Sequence, residues 1–440
     1  MHMKPIFVWR HVAAVVALLG ASPLWASNLL ADYQRARQYD AAFSASLTEY
    51  ETQRLQASVA ATAYYPQAKF SRTQLANESE ERQTLTVTQP IVNWDRWLNL
   101  QEVDPRNAMA QATLERQQYD LAQRLFKTVS TLSESREKLL LNDANIKALE
   151  AQTTSAQRMF ELGMGTVTDV YDAKVRLAQA RSQSLVLRST LQAAERQYEV
   201  MVGARPKANG YRLRKEPVAF QLPPLQDVLA QALAQNPNIR SSQQAIAVGE
   251  ITRKRAKAVY WPSLNASMQR SQYAGNTNTS SGLTFGIDIP IDTSSYMRLQ
   301  TTELELQKLR EQERDTRQRI ELEVQRLHAE LQTALADVAI RREAIAAAEQ
   351  SLHANEKSYE GGVRSKLDVL NAIQVLHQTQ SEHVSAVLQL GERLLGLHIN
   401  AAAELDVVLQ QVQEQLFVPE PEASTDVAAT PAAPQTPAMP

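Results

Sequence analysis

Two segments 199 residues apart, FELGMGTVTDVYDA at 160–173 and YEGGVRSKLDVLNA at 359–372, limit what this chain can become. They align Phe160 with Tyr359, Gly163 with Gly362, Asp169 with Asp368, Val170 with Val369 and Ala173 with Ala372. The offset is close to half the 440 residues, and each segment interrupts a long helical pattern with glycine. Internal repeats of this kind describe two similar halves, each a long helix, a tight turn and a returning helix. The turns are then the tips of two helical hairpins, placed where they could close a pore.

Composition agrees with long helices. Glycine is scarce at 13 residues, and Ala, Gln, Leu, Glu and Arg fill extended runs. Lys plus Arg number 46 against 48 Asp plus Glu, a balance that gives no reason to expect nucleic acid. Residues 1–26 carry the marks of a signal peptide: Lys4 and Arg10, a short apolar run at 12–19, and Ala26 as the small residue before cleavage. That run is too short to span a bilayer, which takes ~20 residues. Cysteine is absent, so the chain has no disulfide framework and no thiolate metal site.

The pattern at 29–65 predicts one helix, capped by Asn28 and ended by Pro66. Strands are predicted at 69–75 and 84–91, joined by a polar loop at 76–83. The second half repeats the order, with a helix at 238–260, strands at 263–273 and 283–291, and a polar loop at 274–281. In the last strand Leu283, Phe285, Ile287, Ile289 and Ile291 alternate with Thr284, Gly286, Asp288 and Pro290. Period-two alternation gives one apolar and one polar face. Prolines 66, 90, 262 and 290 bracket the two hairpins, as residues that neither continue a helix nor fit a sheet interior. An ordinary half-buried sheet in a soluble α+β domain fits these strands as well as a membrane sheet does.

Residues 303–360 hold no Pro or Gly, enough helix for roughly 87 Å at ~1.5 Å per residue. Within them Ile320, Val324, Leu327, Leu331, Ala334, Val338, Ile345, Ala348 and Leu352 recur at alternating steps of four and three, broken only by Arg341. That is a coiled-coil seam. Its partner returns over 365–397. In the first half 94–162 goes out, with a kink expected near Pro105, and 166–202 comes back. The chain thus divides into a signal peptide (1–26), a first repeat (27–202), a mid-body connection (203–224), a second repeat (225–400), an equatorial segment (401–417) and a Pro/Ala/Thr tail expected to be disordered (418–440).

Four strands cannot close a barrel, and open sheet edges do not persist in lipid. If the hairpins are membrane strands, identical copies must pool them; three copies supply twelve strands and continue the barrel as a helical tube. The duplicated plan, the QPIVNWDRW stretch at 89–97 and the tip motifs LGMGTVTDV and GGVRSKLDVLNA resemble the TolC family of outer-membrane channels. The resemblance implies a mainly helical fold with a small β part, an α-barrel tunnel below a 12-stranded trimeric β-barrel. It also implies a homotrimer in outer-membrane lipid that docks a periplasmic membrane-fusion adaptor and an inner-membrane ABC or proton-driven transporter. Thr168 and Asp169 on the first tip, with Tyr359 and Arg364 on the second, match the family's polar gate. Asp368 and Asn371 match its pore constriction, with an amide where the family pattern has a second acid. Gly163, Gly165, Gly361 and Gly362 mark the adaptor-docking tips.

No catalytic constellation is present. His328, His353, His377, His383 and His398 lie singly on helical patterns, and no Gly-rich phosphate loop or nucleophile elbow occurs. Neither cofactor nor metal is expected. The other reading is a soluble periplasmic coiled-coil scaffold or adaptor subunit. The two part at the apolar face of 283–291, which lipid contact leaves exposed in the protomer and a soluble sheet core buries.

Overall fold

The computed structural model describes residues 28–74, 81–208, 210–214, 222–273, 279–288 and 293–418. The expected signal peptide, nearly all of the tail and most of both strand loops lie outside these residues. The first half runs α1 (Leu29–Tyr39), α2 (Ala41–Thr62), β1 (Gln67–Gln74), β2 (Glu81–Val92), α3 (Trp94–Gln101), α4 (Val103–Glu161) and α5 (Val167–Val202). The second runs α6 (Leu225–Gln235), α7 (Pro237–Ala258), β3 (Ser263–Tyr273), β4 (Thr279–Asp288), α8 (Thr293–Glu360), α9 (Lys366–Asn400) and α10 (Leu405–Leu416). The fold is mainly helical with one small antiparallel sheet.

Two expectations need correction, the single helix at 29–65 and the place of Pro90, while the interruption expected near Pro105 is present. The helix predicted at 29–65 is two helices, because Asp40 leaves helical geometry (ψ 115°) and its carboxylate accepts the Phe43 N–H at 2.7 Å. Asp40 is also gripped by both terminal nitrogens of Arg124, at 3.0 and 3.1 Å. An internal cap with a bidentate partner is stable where a continuous helix would bury a lone carboxylate. The outgoing helix breaks at Glu102, just ahead of Pro105, which then occupies the first turn of α4, where its missing N–H costs nothing. Pro90 lies inside β2 rather than at its end, tolerated at a register shift between Pro90 and Val92. The segment at 401–417 is mostly the helix α10, whose Leu409, Val412 and Leu416 are buried.

α8 has 68 residues and α4 has 59, roughly 100 and 90 Å at ~1.5 Å per residue. The predicted seam packs: Ile320, Val324, Leu327, Leu331, Ala334, Val338 and Ala348 are buried. Arg341, the break in the seam, bonds to Asp337 on its own helix and reaches α9 through Glu382, at 2.8 and 2.7 Å. Each fully buried Leu, Ile or Val contributes ~1.5–3 kcal/mol. Exposed pairs such as Arg326 with Glu323 stay solvated and screened, so they contribute little. Packing therefore holds the hairpins together, and the surface ion pairs only adjust it.

The largest core lies at mid-body, where α1, α4, α5, α8, α9 and α10 converge on Phe126, Leu331, Leu395 and Phe417. There Leu213 bridges to Phe417, joining the two connecting segments. Buried Asp32 accepts hydrogen bonds from the hydroxyls of Tyr198 and Tyr211. A second core at the tip level collects Leu149 of α4, Ala173 and Ala180 of α5, and Val369, Leu370 and Ile373 of α9. The sheet caps the opposite end.

Candidate functional site

Both tips are built by one local device. At the end of α4, Gly163 takes a left-handed conformation (φ 72°); its N–H bonds to Phe160 O at 3.0 Å and the Met164 N–H to Met159 O at 2.8 Å. At the end of α8, Gly362 (φ 73°) bonds to Tyr359 O at 3.0 Å and Val363 to Ser358 O at 2.9 Å. This paired closure is the Schellman motif, which requires a residue without a Cβ penalty at the left-handed position. Among the other tip glycines, a Cβ on Gly165 would meet Met159 Cβ at 3.2 Å, whereas Gly361 has its nearest neighbour at an ordinary 3.6 Å.

Each returning helix then starts with a reciprocal cap. The Thr166 hydroxyl and N–H donate to the Asp169 carboxylate at 2.7 and 3.1 Å, and the Asp169 N–H returns to the Thr166 hydroxyl. Ser365 and Asp368 repeat the arrangement at 2.8 and 3.0 Å. The serine bonds and the nearby Arg364 hold the Asp368 carboxyl below its ordinary range. Arg364 lies on Asp368, 3.8 Å away within its own turn, while Thr168 is exposed. Tyr359 is half-buried, and its hydroxyl is pushed up by burial and then by the charge of Asp169. Within one protomer, then, Asp169 stands near Tyr359, and Arg364 serves Asp368.

Two residues in this region escaped the sequence reading. Lys366 is only 4% exposed. Its ammonium sits over the Tyr359 ring, 4.7 Å from the centroid, and 3.4 Å from Ser155 Oγ on α4. Burial pulls its pKa down, while Asp169 and Glu356 act upward. Arg176 of α5 donates to Asn371 Oδ1 at 2.7 Å and to Gln374 Oε1, crossing from the first hairpin to the second. The one sequence signal for this contact is the amide at 371 where an acid was expected.

At the other end, the strands pair in the order β1-β2-β3-β4, all neighbours antiparallel, leaving β1 and β4 as edges. Register sorts the side chains cleanly. One face carries the rows Ala68–Val87–Met268–Leu283 and Phe70–Leu85–Arg270, with Phe285 opposite Ala266 and Ile287 opposite Leu264. The other carries Thr84–Ser271, Lys69–Thr86–Gln269 and Gln67–Thr88–Ser267–Thr284. The apolar face is uncovered: Leu283, Phe285 and Ile287 are 66–68% exposed, and Phe70 and Met268 are also exposed. This removes the soluble sheet core from consideration. Ile289 and Ile291 lie outside the described residues.

Where the sheet joins the helices, Trp94 stacks edge-on against Trp97 and Trp261, with centroids 5.9 and 4.9 Å away. With exposed Tyr260 these rings form the amphipathic border expected at a membrane surface. Among the described residues no helix is long and apolar enough to cross a membrane, and no group of His, Asp and Glu is arranged to hold a metal.

Comparison with known proteins fits this geometry. Residues 228–398 match the family described as outer membrane efflux protein. The chain is 26% identical over 319 residues to the proteases secretion protein PrtF of Dickeya chrysanthemi, covering 68% of each. It is 23% identical over 419 residues to the alkaline protease secretion protein AprF of Pseudomonas aeruginosa, covering 87% of this chain and 85% of the relative. Its fold is similar to that of the outer membrane protein VceC of Vibrio cholerae, with a TM-score of 0.72 at 16% identity over 86% of this chain and 96% of the other.

Proposed function

Since this chain belongs to the TolC-like family of outer-membrane efflux and type I secretion channels, which are transport proteins and not enzymes, we propose that three copies pool their strands into one twelve-stranded barrel. The observation that carries this is the sheet itself: an exposed apolar face, a polar reverse face and two unpaired edges. In hydrocarbon an unpaired edge costs several kcal/mol per backbone group, so β4 of one copy pairs with β1 of the next. The polar face lines a water-filled lumen, which the long helices extend across the periplasm.

The tips hold the far end shut. Asp169 and Thr168 of one hairpin face Tyr359 and Arg364 of another, and each exposed link contributes only ~0.2–1 kcal/mol. Threefold repetition makes a closed state that a docking protein can still overcome. Asp368 and Asn371, three residues apart on α9, share one face and narrow the mouth. The glycine turns at 163–165 and 361–362 present the docking surface for a periplasmic adaptor, which joins the duct to an inner-membrane transporter. The names of PrtF and AprF favour a polypeptide cargo.

Fractionation followed by single-channel recording tests this reading. The full-length protein should partition with outer membranes, need detergent for release, and give discrete conductance steps in planar bilayers. Recovery in the soluble periplasmic fraction would refute it.

A further inference from the structure

Inside each hairpin the helices pack along their whole length, α4 on α5 and α8 on α9, but α5 and α9 touch sparsely. Beside the tip core a cleft of about 310 Å³ opens between the hairpins, with Leu149, Leu370 and Ile373 of that core on one side and Arg176, Gln374 and His377 among its polar lining. The apolar contact between the hairpins runs mainly from α9 to α4, through Leu149, Leu370 and Ile373, so the two returning helices themselves meet at few points. Arg176 stands at this place. Its guanidinium fork takes two side-chain oxygens, Asn371 Oδ1 and Gln374 Oε1, presented three residues apart on one face of α9.

We propose that Arg176 is a strap between the two hairpins and a determinant of ion selectivity at the constriction. This rests on the reading of Asp368 and Asn371 as the narrowest part of the duct. Both acceptors of the strap are neutral amides, so nothing within the strap offsets the guanidinium charge. One turn away Asp368 carries the opposite charge. With Arg364 3.8 Å from Asp368, the surroundings of Asp368 and Asn371 hold one carboxylate and two guanidiniums per protomer, a mixed ring with little preference for cations. Asn371 is part of the same device: an acid here would pair with Arg176 and tighten the strap instead of adding a free negative charge.

The test uses the full-length protein in planar bilayers under a salt gradient. Arg176→Ala should raise mean conductance about threefold and move the reversal potential toward cation selectivity. Arg176→Lys, which keeps the charge and loses the fork, should raise conductance with the reversal potential unchanged. Asn371→Asp should lower conductance with Arg176 present and produce cation selectivity only in the Arg176→Ala background. Wild-type conductance and reversal potential in Arg176→Ala would overturn the proposal.

A second readout does not depend on conduction. The chain has no cysteine, so spin labels on Lys174→Cys and Val375→Cys, both exposed, report the α5–α9 separation within one protomer when labelled chains are diluted with unlabelled ones. Arg176→Ala should lengthen and broaden that distance distribution in detergent-extracted protein, and an unchanged distribution would refute the strap. A wild-type protein that conducts nothing, with the lengthening still seen in its Arg176→Ala variant, would refute the duct and leave the strap standing.

Discussion

Thr166 and Asp169 hold each other at the head of α5 by hydrogen bonds in both directions, and Ser365 and Asp368 do the same at the head of α9, 199 residues on. The duplication is thus kept down to single hydrogen bonds. Asp169 fastens its own helix and stands near Tyr359, and these two roles can be separated. Thr166→Ala removes only the cap, a local cost of about 1 kcal/mol, and should change single-channel conductance little. Asp169→Ala, like Arg364→Ser, should raise conductance clearly. Unchanged conductance in both latter variants would reject these residues as parts of a gate.

Asp368 is expected to supply the negative charge at the constriction. Asp368→Ala leaves the cationic Arg364 and Arg176 there without a nearby carboxylate, so the reversal potential under a salt gradient should shift toward anions. The same substitution weakens the α9 cap, which Ser365→Ala also does without altering charge. A reversal potential that moves equally in both variants, or in neither, counts against the role.

Phe285 and Thr284 are neighbours on opposite faces of β4. Phe285→Arg puts a charge where lipid is expected, at about 2–4 kcal/mol near the bilayer midplane. Thr284→Arg puts the same charge toward the lumen. The assembled fraction recovered from outer membranes should fall sharply for the first and stay near wild type for the second. Equal recovery would contradict the assignment of faces.

Burial raises the Asp32 carboxyl above its ordinary value of 3.8, against a smaller downward pull from the Tyr198 and Tyr211 hydroxyls. A raised folded-state value means the folded protein holds a proton that the unfolded chain has already released. The stability linked to that proton is complete below the unfolded value and declines as pH rises through the folded one. Melting temperatures of detergent-solubilised protein should therefore decline relative to an Asp32→Asn variant as pH rises above the ordinary carboxylate value of 3.8. Parallel curves for the two proteins would remove Asp32 from the pH response.

Much of this architecture was legible because it is periodic. The seam of α8 repeats at heptad spacing, the face of β4 alternates, and the tip glycines recur at a fixed offset. Each is a pattern that one element imposes on its own residues. What escaped the reading depends on partners distant in sequence. Asp40 resembles any polar residue in a helix until Arg124, 84 positions later, makes it a cap. Lys366 gives no hint that it is buried beneath Tyr359 and beside Ser155, 211 residues upstream. Arg176 meets Asn371 across 195 residues, and only the hairpin geometry brings them together. Pro90 was misread because a bulge can absorb a proline inside a strand.

The central claim is that one protomer, with four strands and two open edges, completes its barrel only with copies of itself. Multi-angle light scattering of the detergent-extracted full-length protein counts the chains in each particle directly. Three chains per particle is the expected result; a monodisperse monomer that still conducts in bilayers would contradict the account.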